Sequence, residues 1–230
     1  MDAFGRDLKQ LTYGADNKAE LAVTPDGRYV IYQDEGKIWR IDLDGAHALQ
    51  LSHGALDVHP EPTPDSRFVV YASFSNWSPG IAGKPTLWRI PIEGGEPVQL
   101  SATPASIPKV SPDGKLIAFE YFPGADPQLS SQLIALMDSK GGPPTKVFDE
   151  MPAIVGEVFW APDGKALEFS AITGHVGNLW RQPLSGAVPA QITHFNTGQI
   201  YTSAWSRDGR ELVLARGKTS RDVVLITGFE

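Results

Sequence analysis

Cysteine is absent from this 230-residue chain, which excludes disulfide bonds, thiolate metal sites and a cysteine nucleophile. Long apolar runs are also absent, because no stretch approaches the roughly 18 apolar residues of a membrane-spanning helix. No cluster of basic residues occurs, and the net charge of −7 argues against nucleic-acid binding. The first residues lack the basic and apolar regions of a signal peptide, and the compartment stays open between cytoplasm and periplasm.

Motifs of common catalytic and cofactor sites are missing as well. The chain has no Gly-x-Ser-x-Gly nucleophile elbow, no His-Glu-x-x-His, no P-loop and no dinucleotide fingerprint. Its five histidines are scattered without the close spacing of metal ligands. We therefore expect a protein that is not an enzyme, with no catalytic residues, no metal and no cofactor.

The chain contains five copies of one short turn motif, and each copy lies between two apolar runs. The copies are Thr24-Pro25-Asp26-Gly27, Thr63-Pro64-Asp65-Ser66, Ser111-Pro112-Asp113-Gly114, Ala161-Pro162-Asp163-Gly164 and Ser206-Arg207-Asp208-Gly209. Proline sets φ for a type I turn, Asp bonds to the turn's own backbone, and Gly takes a left-handed closing position. Each copy therefore predicts a β-hairpin, with Ser66 placed where positive φ is expected.

The spacing of these turns predicts the fold. The turn aspartates are 39, 48, 50 and 45 residues apart, the period of a four-stranded propeller blade. The strand after each turn is apolar on both faces, as in Tyr29-Val30-Ile31-Tyr32, which suits a sheet between two other sheets. We predict an all-β, five-bladed β-propeller of four-stranded antiparallel blades. It forms a single domain over 1–230, with repeats at about 19–54, 55–102, 103–150, 151–195 and 196–230.

The two chain ends bear on ring closure. Residues 1–12 match the end of a third strand plus a fourth strand, and the fifth repeat stops after a third strand. Pairing of the N-terminal strand with the strand at 223–226 would close the last blade and remove an open sheet edge. A second interpretation stays open, because a piece of a longer propeller would also start inside a repeat.

These repeats resemble the bacterial TolB-type, WD40-like propeller repeat. The match lies in Trp160-Ala161-Pro162-Asp163-Gly164, in Ile38-Trp39-Arg40-Ile41-Asp42 and in Lys9-Gln10-Leu11-Thr12. The resemblance implies a monomeric binding scaffold for a protein, peptide or small molecule. It also implies the sensor or interaction part of a larger protein, such as a winged-helix regulator or a kinase. The alternatives are the propeller of a serine peptidase and a five-bladed carbohydrate-active enzyme. The enzyme would need a pair of carboxylates at the mouth of the axis, where Glu20, Glu61 and Glu157 are the candidates, each a single carboxylate on its strand.

A binding face is predicted where the loops differ most among the repeats. Trp77 lies in the longest of these loops and provides an aromatic anchor, and polar residues of inner strands and neighbouring loops accompany it. The predicted binding residues are Trp77, His59, Glu61, Lys109, Glu157, His175 and Tyr201.

Overall fold

The described part of the chain consists of 18 β-strands in five sheets, without a helix. The computed structural model describes residues 9–13, 18–74, 83–123, 133–149, 151–152, 154–206 and 208–218. Nothing in these ranges is a helix that could cross a lipid bilayer. The chain divides into two compact units, Met1–Asp149 and Glu150–Glu230, and the division falls between the third and fourth predicted repeats.

The first unit contains three four-stranded sheets. Sheet 1 is formed by β1 (Ala19–Val23), β2 (Tyr29–Asp34), β3 (Lys37–Asp42) and β4 (Leu49–Gln50). Sheet 2 is formed by β5 (Asp57–Pro62), β6 (Phe68–Phe74), β7 (Pro85–Pro91) and β8 (Val98–Gln99). Sheet 3 is formed by β9 (Ala105–Val110), β10 (Leu116–Tyr121), β11 (Leu133–Asp138) and β12 (Lys146–Phe148).

The second unit contains the last two sheets. Sheet 4 is formed by β13 (Ile154–Trp160), β14 (Ala166–Thr173), β15 (Val176–Pro183) and β16 (Ala190–Gln191). Sheet 5 has two described strands, β17 (Gln199–Trp205) and β18 (Leu212–Gly217). In every sheet, strands adjacent in sequence pair antiparallel, so each sheet is a simple meander. The prediction of an all-β chain built from four-stranded antiparallel sheets is confirmed.

The five repeated turns are hairpin turns, as predicted. In each, the residue at the glycine position donates its N–H to the first residue's carbonyl, as Gly27 does to Thr24 at 2.8 Å. Ser66 adopts φ 56° at the position where the other copies use glycine. A side chain in this conformation costs about 1 kcal/mol, so the rest of the hairpin must hold it in place.

The turn aspartates cap their own turns. Each accepts the backbone N–H two residues further on, at distances from 2.9 to 3.2 Å. Asp26 and Asp113 also accept the hydroxyl of the residue that opens the turn, Thr24 at 2.6 Å and Ser111 at 2.7 Å. The interpretation of these aspartates as structural caps is confirmed.

Asp113 gives the chain a predicted acid sensitivity. The Ser111 hydroxyl, and then the N–H and side chain of Lys115, hold the pKa of Asp113 at about 2. Because the unfolded pKa lies near 3.9, this carboxylate stabilises the fold above about pH 4, and the stabilisation is lost as pH falls towards 2. We expect Asp113→Asn to flatten the acid limb of a plot of unfolding midpoint against pH. A carboxyl ¹³C titration of Asp113 with a midpoint near 4 would contradict this account.

The core of the first unit lies between adjacent sheets. Ile31 and Ile38 of sheet 1 pack against Val69, Tyr71 and Ile90 of sheet 2, all nearly fully buried. A second cluster joins sheets 2 and 3 in the same way through residues such as Val70, Leu87, Ile117 and Phe119. Strands β2, β6 and β14 are buried along most of their length, and β10 is buried over its central three residues, as their continuous apolar sequences predict. Strand β18 instead alternates and leaves Val213 67% exposed.

Ring closure stays a prediction. The strand expected at 223–226 lies outside the described residues, and so do residues 1–8. Residues 9–13 are described and do not form a strand; Leu11 packs against the buried Val30, Tyr32 and Ile41 of sheet 1.

Candidate functional site

The inner strands β1, β5 and β9 of the first unit share an irregularity at one equivalent position. The pairing register shifts at Glu20, His59 and Ile107, each four residues before the first residue of its turn. All three have positive φ, at 53°, 55° and 45°. Such a conformation in a side-chain-bearing residue costs about 1–3 kcal/mol and occurs preferentially at functional sites. Register shifts also occur in β13 and β17, so the bulge is a feature of the repeat, and the candidate site is defined by the side chains that it presents in β1, β5 and β9.

Two of the bulge residues bind each other across sheets. Glu20 Oε1 lies 2.9 Å from His59 Nδ1, and Glu20 Oε2 accepts the backbone N–H of His59 at 2.5 Å. The same carboxylate thus orients both the imidazole and the strained backbone of the neighbouring strand.

A second pair lies one strand further along. Lys109 Nζ of β9 is 3.7 Å from Glu61 Oε2 of β5. The side chains of Glu20, His59, Glu61 and Lys109 are between 23% and 31% exposed, so they remain accessible while being held by neighbours. We call these four residues the inner-strand cluster.

Glu20 is the ionised centre of this cluster. Burial raises the pKa of its carboxyl group, but the hydrogen bonds from His59 outweigh that effect, and the charges of His59 and Lys109 lower it further. The net result is a pKa below the ordinary glutamate value. Near neutral pH, Glu20 is therefore an acceptor and a negative charge; it has no proton to donate.

The second unit holds two of the predicted binding residues. His175 is exposed in the β14–β15 turn and lines a cavity of about 470 Å³ with Asn196, Gln199 and Lys218. Tyr201 is 53% exposed on β17 and does not line that cavity; its ring packs beside Gly217. The shared binding role of His175 and Tyr201 stays a prediction.

The predicted binding roles of Glu157 and Trp77 fall outside what the structure describes. Glu157 belongs to β13, and its side chain lies outside the described part of the structure. Trp77 lies in residues 75–82, which are also outside the described residues. Their roles remain predictions.

Sequence reasoning assigned His59, Glu61 and Lys109 to a binding face but left Glu20 out of that set. Glu20 was weighed only as one member of a catalytic carboxylate pair, whereas the structure shows it bonded to His59. Alignment of the repeats on their turns places both residues at the same position, and this was the available signal. Among the residues that the structure describes, no three His, Asp or Glu side chains form a group that could hold a metal ion.

Comparison with solved structures establishes the fold. A protein from Agrobacterium tumefaciens assigned to TolB superposes with a TM-score of 0.73 and 19% identity, over 90% of this chain and 72% of that one. TolB from Acinetobacter baumannii superposes with a TM-score of 0.61 and 20% identity, over 86% and 46% of the two chains. The fold is a TolB-like β-propeller.

The same propeller fold also occurs in an enzyme. An oligogalacturonate lyase in complex with manganese is similar to this TolB-like propeller with a TM-score of 0.61 and 19% identity, over 87% of this chain and 59% of the lyase. At such identities the similarity establishes the fold, while the activity must be argued from the site.

A curated relative matches most of this chain, but at low sequence identity. An uncharacterized protein of Agrobacterium fabrum is 22% identical over 198 residues, which is 86% of this chain and 50% of that relative. The chain thus spans about half the length of the curated relative it matches. No family model matches the sequence.

Proposed function

We propose that this TolB-like propeller is a non-catalytic scaffold that binds a protein or small ligand at the inner-strand cluster. The observation that carries the proposal is the pair of adjacent strained residues, Glu20 and His59, which bond to each other across two sheets and stay partly exposed. Strain of this kind persists only where the surrounding structure determines it. A rigid, accessible polar row is what a recognition surface requires.

The charges of the cluster also favour binding. Each of its two carboxylates faces a base, Glu20 facing His59 and Glu61 facing Lys109. The lowered pKa of Glu20 makes this residue a poor general acid near neutral pH. A partner with donors and acceptors in the same row can replace the solvent around these pairs. We propose that Trp77 supplies the apolar anchor beside this row, and that the chain acts as a monomer.

The proposal is tested by capture with matched histidine variants. The chain is immobilised, a bound protein is recovered from bacterial extract, and its Kd is measured for wild type and variants. We expect His59→Ala to weaken binding at least tenfold, because it removes one half of the cross-sheet pair. His47→Ala is the control, since His47 also contacts a carboxylate, Asp42 at 2.8 Å, but lies beyond the end of β3. Equal Kd values for the two variants would refute the assigned surface.

Trp77→Ala provides a second, independent arm. We expect weaker capture with an unchanged thermal midpoint, because an anchor residue contributes to the complex and not to the core. A lowered midpoint with full capture would show that Trp77 fills the protein's own interior.

A second candidate function is cleavage of an acidic polysaccharide, favoured by the fold shared with oligogalacturonate lyase and by the His59–Glu20 dyad. Because Glu20 lies 2.9 Å from His59 Nδ1, Nε2 is the ring nitrogen left to face a substrate. Incubation with oligogalacturonate and Mn²⁺ decides between the two functions. An unsaturated product that appears with wild type and not with His59→Ala would establish the lyase, and its absence with intact capture supports the scaffold.

A further inference from the structure

An arginine recurs in the third strands of three sheets, and one copy differs from the other two. Arg40 of β3 lies 2.9 Å from Glu93 Oε2. Arg181 of β15 donates to Glu168 Oε1, also at 2.9 Å. Arg89 of β7 stacks over the Phe68 ring, 4.7 Å from its centre, and pairs with no carboxylate of the described residues.

Two exchanges at equivalent positions explain this difference. Within the strand, Arg40 Nη1 also lies 3.4 Å from Asp42 Oδ1, and Pro91 stands at that position of β7. The other exchange is in the turn that follows the strand. Glu93 belongs to the turn Ile92-Glu93-Gly94-Gly95, which follows β7 and reaches back to sheet 1. The equivalent turn after β11 reads Ser139-Lys140-Gly141-Gly142. A lysine therefore stands where the preceding sheet has the glutamate that neutralises the arginine.

Apart from these two carboxylates, the two arginines share an aromatic neighbour. Beside Arg40, the Tyr29 ring lies beneath the guanidinium at 4.3 Å, and its hydroxyl donates to Glu93 Oε1 at 3.0 Å. Beside Arg89, Phe68 takes the place of Tyr29 and has no hydroxyl. The interface of sheets 2 and 3 thus keeps the aromatic platform and the cation but lacks the anion.

A cavity of about 490 Å³ lies at this place, between sheets 2 and 3 of the first unit. Arg89 and Lys140 line it together with the Phe68 ring, and Val70, Val110 and Ile117 add apolar surface. No member of the inner-strand cluster lines this cavity. Two cations that share a cavity repel each other, and a bound carboxylate would relieve that repulsion.

Two aspartates also line the cavity, and their carboxylates serve their own turns. Asp65 accepts the Thr63 hydroxyl and the Arg67 N–H, and Asp113 accepts the Ser111 hydroxyl and the Lys115 N–H. Turn aspartates therefore do not substitute for the carboxylate at the arginine.

We propose that the cavity between sheets 2 and 3 is a carboxylate-binding site, in which Arg89 and Lys140 hold the anion and Phe68 packs against its aliphatic stem. The internal model for the ligand is Glu93, so the ligand class is a carboxylate on a short aliphatic chain. It is supplied either by a small free acid or by a glutamate side chain of a bound protein. This site is separate from the inner-strand cluster and does not depend on the function proposed there.

The first test follows the Arg89 guanidinium by NMR during titration. The probes are acetyl-glutamate methylamide, its glutamine counterpart, glutarate and inorganic phosphate. We expect saturable shifts of the Arg89 signal with a carboxylate probe and none with the glutamine probe. Binding of glutarate alone indicates a small acid, and binding of the capped glutamate indicates a protein side chain. Phosphate that binds as tightly as the carboxylates, or no saturable shift with either carboxylate, would overturn the proposal.

The second test supplies the anion within the chain. Lys140→Glu places a carboxylate where Glu93 stands in the preceding turn, so we expect a higher thermal midpoint and at least tenfold weaker binding of the carboxylate probe. Arg89→Gln should abolish probe binding, and Lys165→Glu, at an exposed lysine of the second unit, is the control for net charge. A Lys140→Glu variant that binds the probe as wild type does would refute the site.

Discussion

Glu168→Ala is expected to lower the free energy of unfolding by about 1–3 kcal/mol, the usual cost of leaving a partly buried donor without its acceptor, because the Trp205 indole loses its partner whereas Arg181, 42% exposed, can turn to water. Glu168 is fully buried in β14 and is the acceptor on which sheets 4 and 5 converge. Its Oε1 accepts the Arg181 Nε–H at 2.9 Å, and its Oε2 accepts the Trp205 indole N–H, also at 2.9 Å. The alanine variant leaves the Trp205 donor without an acceptor and opens a cavity between the two sheets.

Urea unfolding followed by tryptophan fluorescence measures this effect. Glu211→Ala is the matched control, because Glu211 is an exposed glutamate of the same unit and should change stability by less than about 0.5 kcal/mol. Similar losses in the two variants would show that the Glu168 carboxylate contributes no more than a surface charge.

Gly141→Ala is expected to destabilise the first unit by about 3 kcal/mol, within the range for strained backbone positions with steric overlap. Gly141 has φ +97°, and an added Cβ would lie 2.9 Å from the carbonyl oxygen and 3.0 Å from the Cα of Leu100. Both are backbone atoms, so sheets 2 and 3 would have to separate locally. The bond from Gly142 N–H to the Leu100 carbonyl, 2.9 Å long, would weaken as they do.

The equivalent glycine of the preceding sheet, Gly94, allows the cost of steric overlap to be measured separately from the cost of a positive φ. Gly94 has φ +87°, and its added Cβ would meet only a side-chain methyl of Leu49, at 3.6 Å. Gly94→Ala should therefore cost about 1 kcal/mol, from the left-handed conformation alone. Equal thermal midpoints for the two variants would show that the close approach to Leu100 has no energetic consequence.

Much of the fold could be predicted because its determinants are local. The Pro-Asp-Gly turns, the period of 39 to 50 residues and the doubly apolar strands depend on neighbours in sequence, and the structure confirms them. The positive φ of Ser66 followed from its place in the repeat alone.

The candidate site could be predicted only in part. His59, Glu61 and Lys109 were selected for their place on inner strands, and the structure brings all three into one cluster. The bond between Glu20 and His59 depends on how two strands 39 residues apart are staggered, and no local pattern specifies that stagger. The assignment of Trp77 is still a sequence prediction.

The sequence by itself determined that this chain forms antiparallel meanders joined by five equivalent turns, since turn chemistry and hydrophobic pattern act over a few residues. Only the tertiary structure decided which charges meet. Arg40, Arg89 and Arg181 each follow a tryptophan in a third strand. Arg40 faces Glu93 and Arg181 faces Glu168, whereas Arg89 faces no carboxylate of the described residues. Glu93 reaches Arg40 from the neighbouring sheet, whereas Glu168 faces Arg181 from the adjacent strand of the same sheet. The carboxylate that an arginine meets therefore depends on strand register and sheet packing, which its own local sequence does not specify.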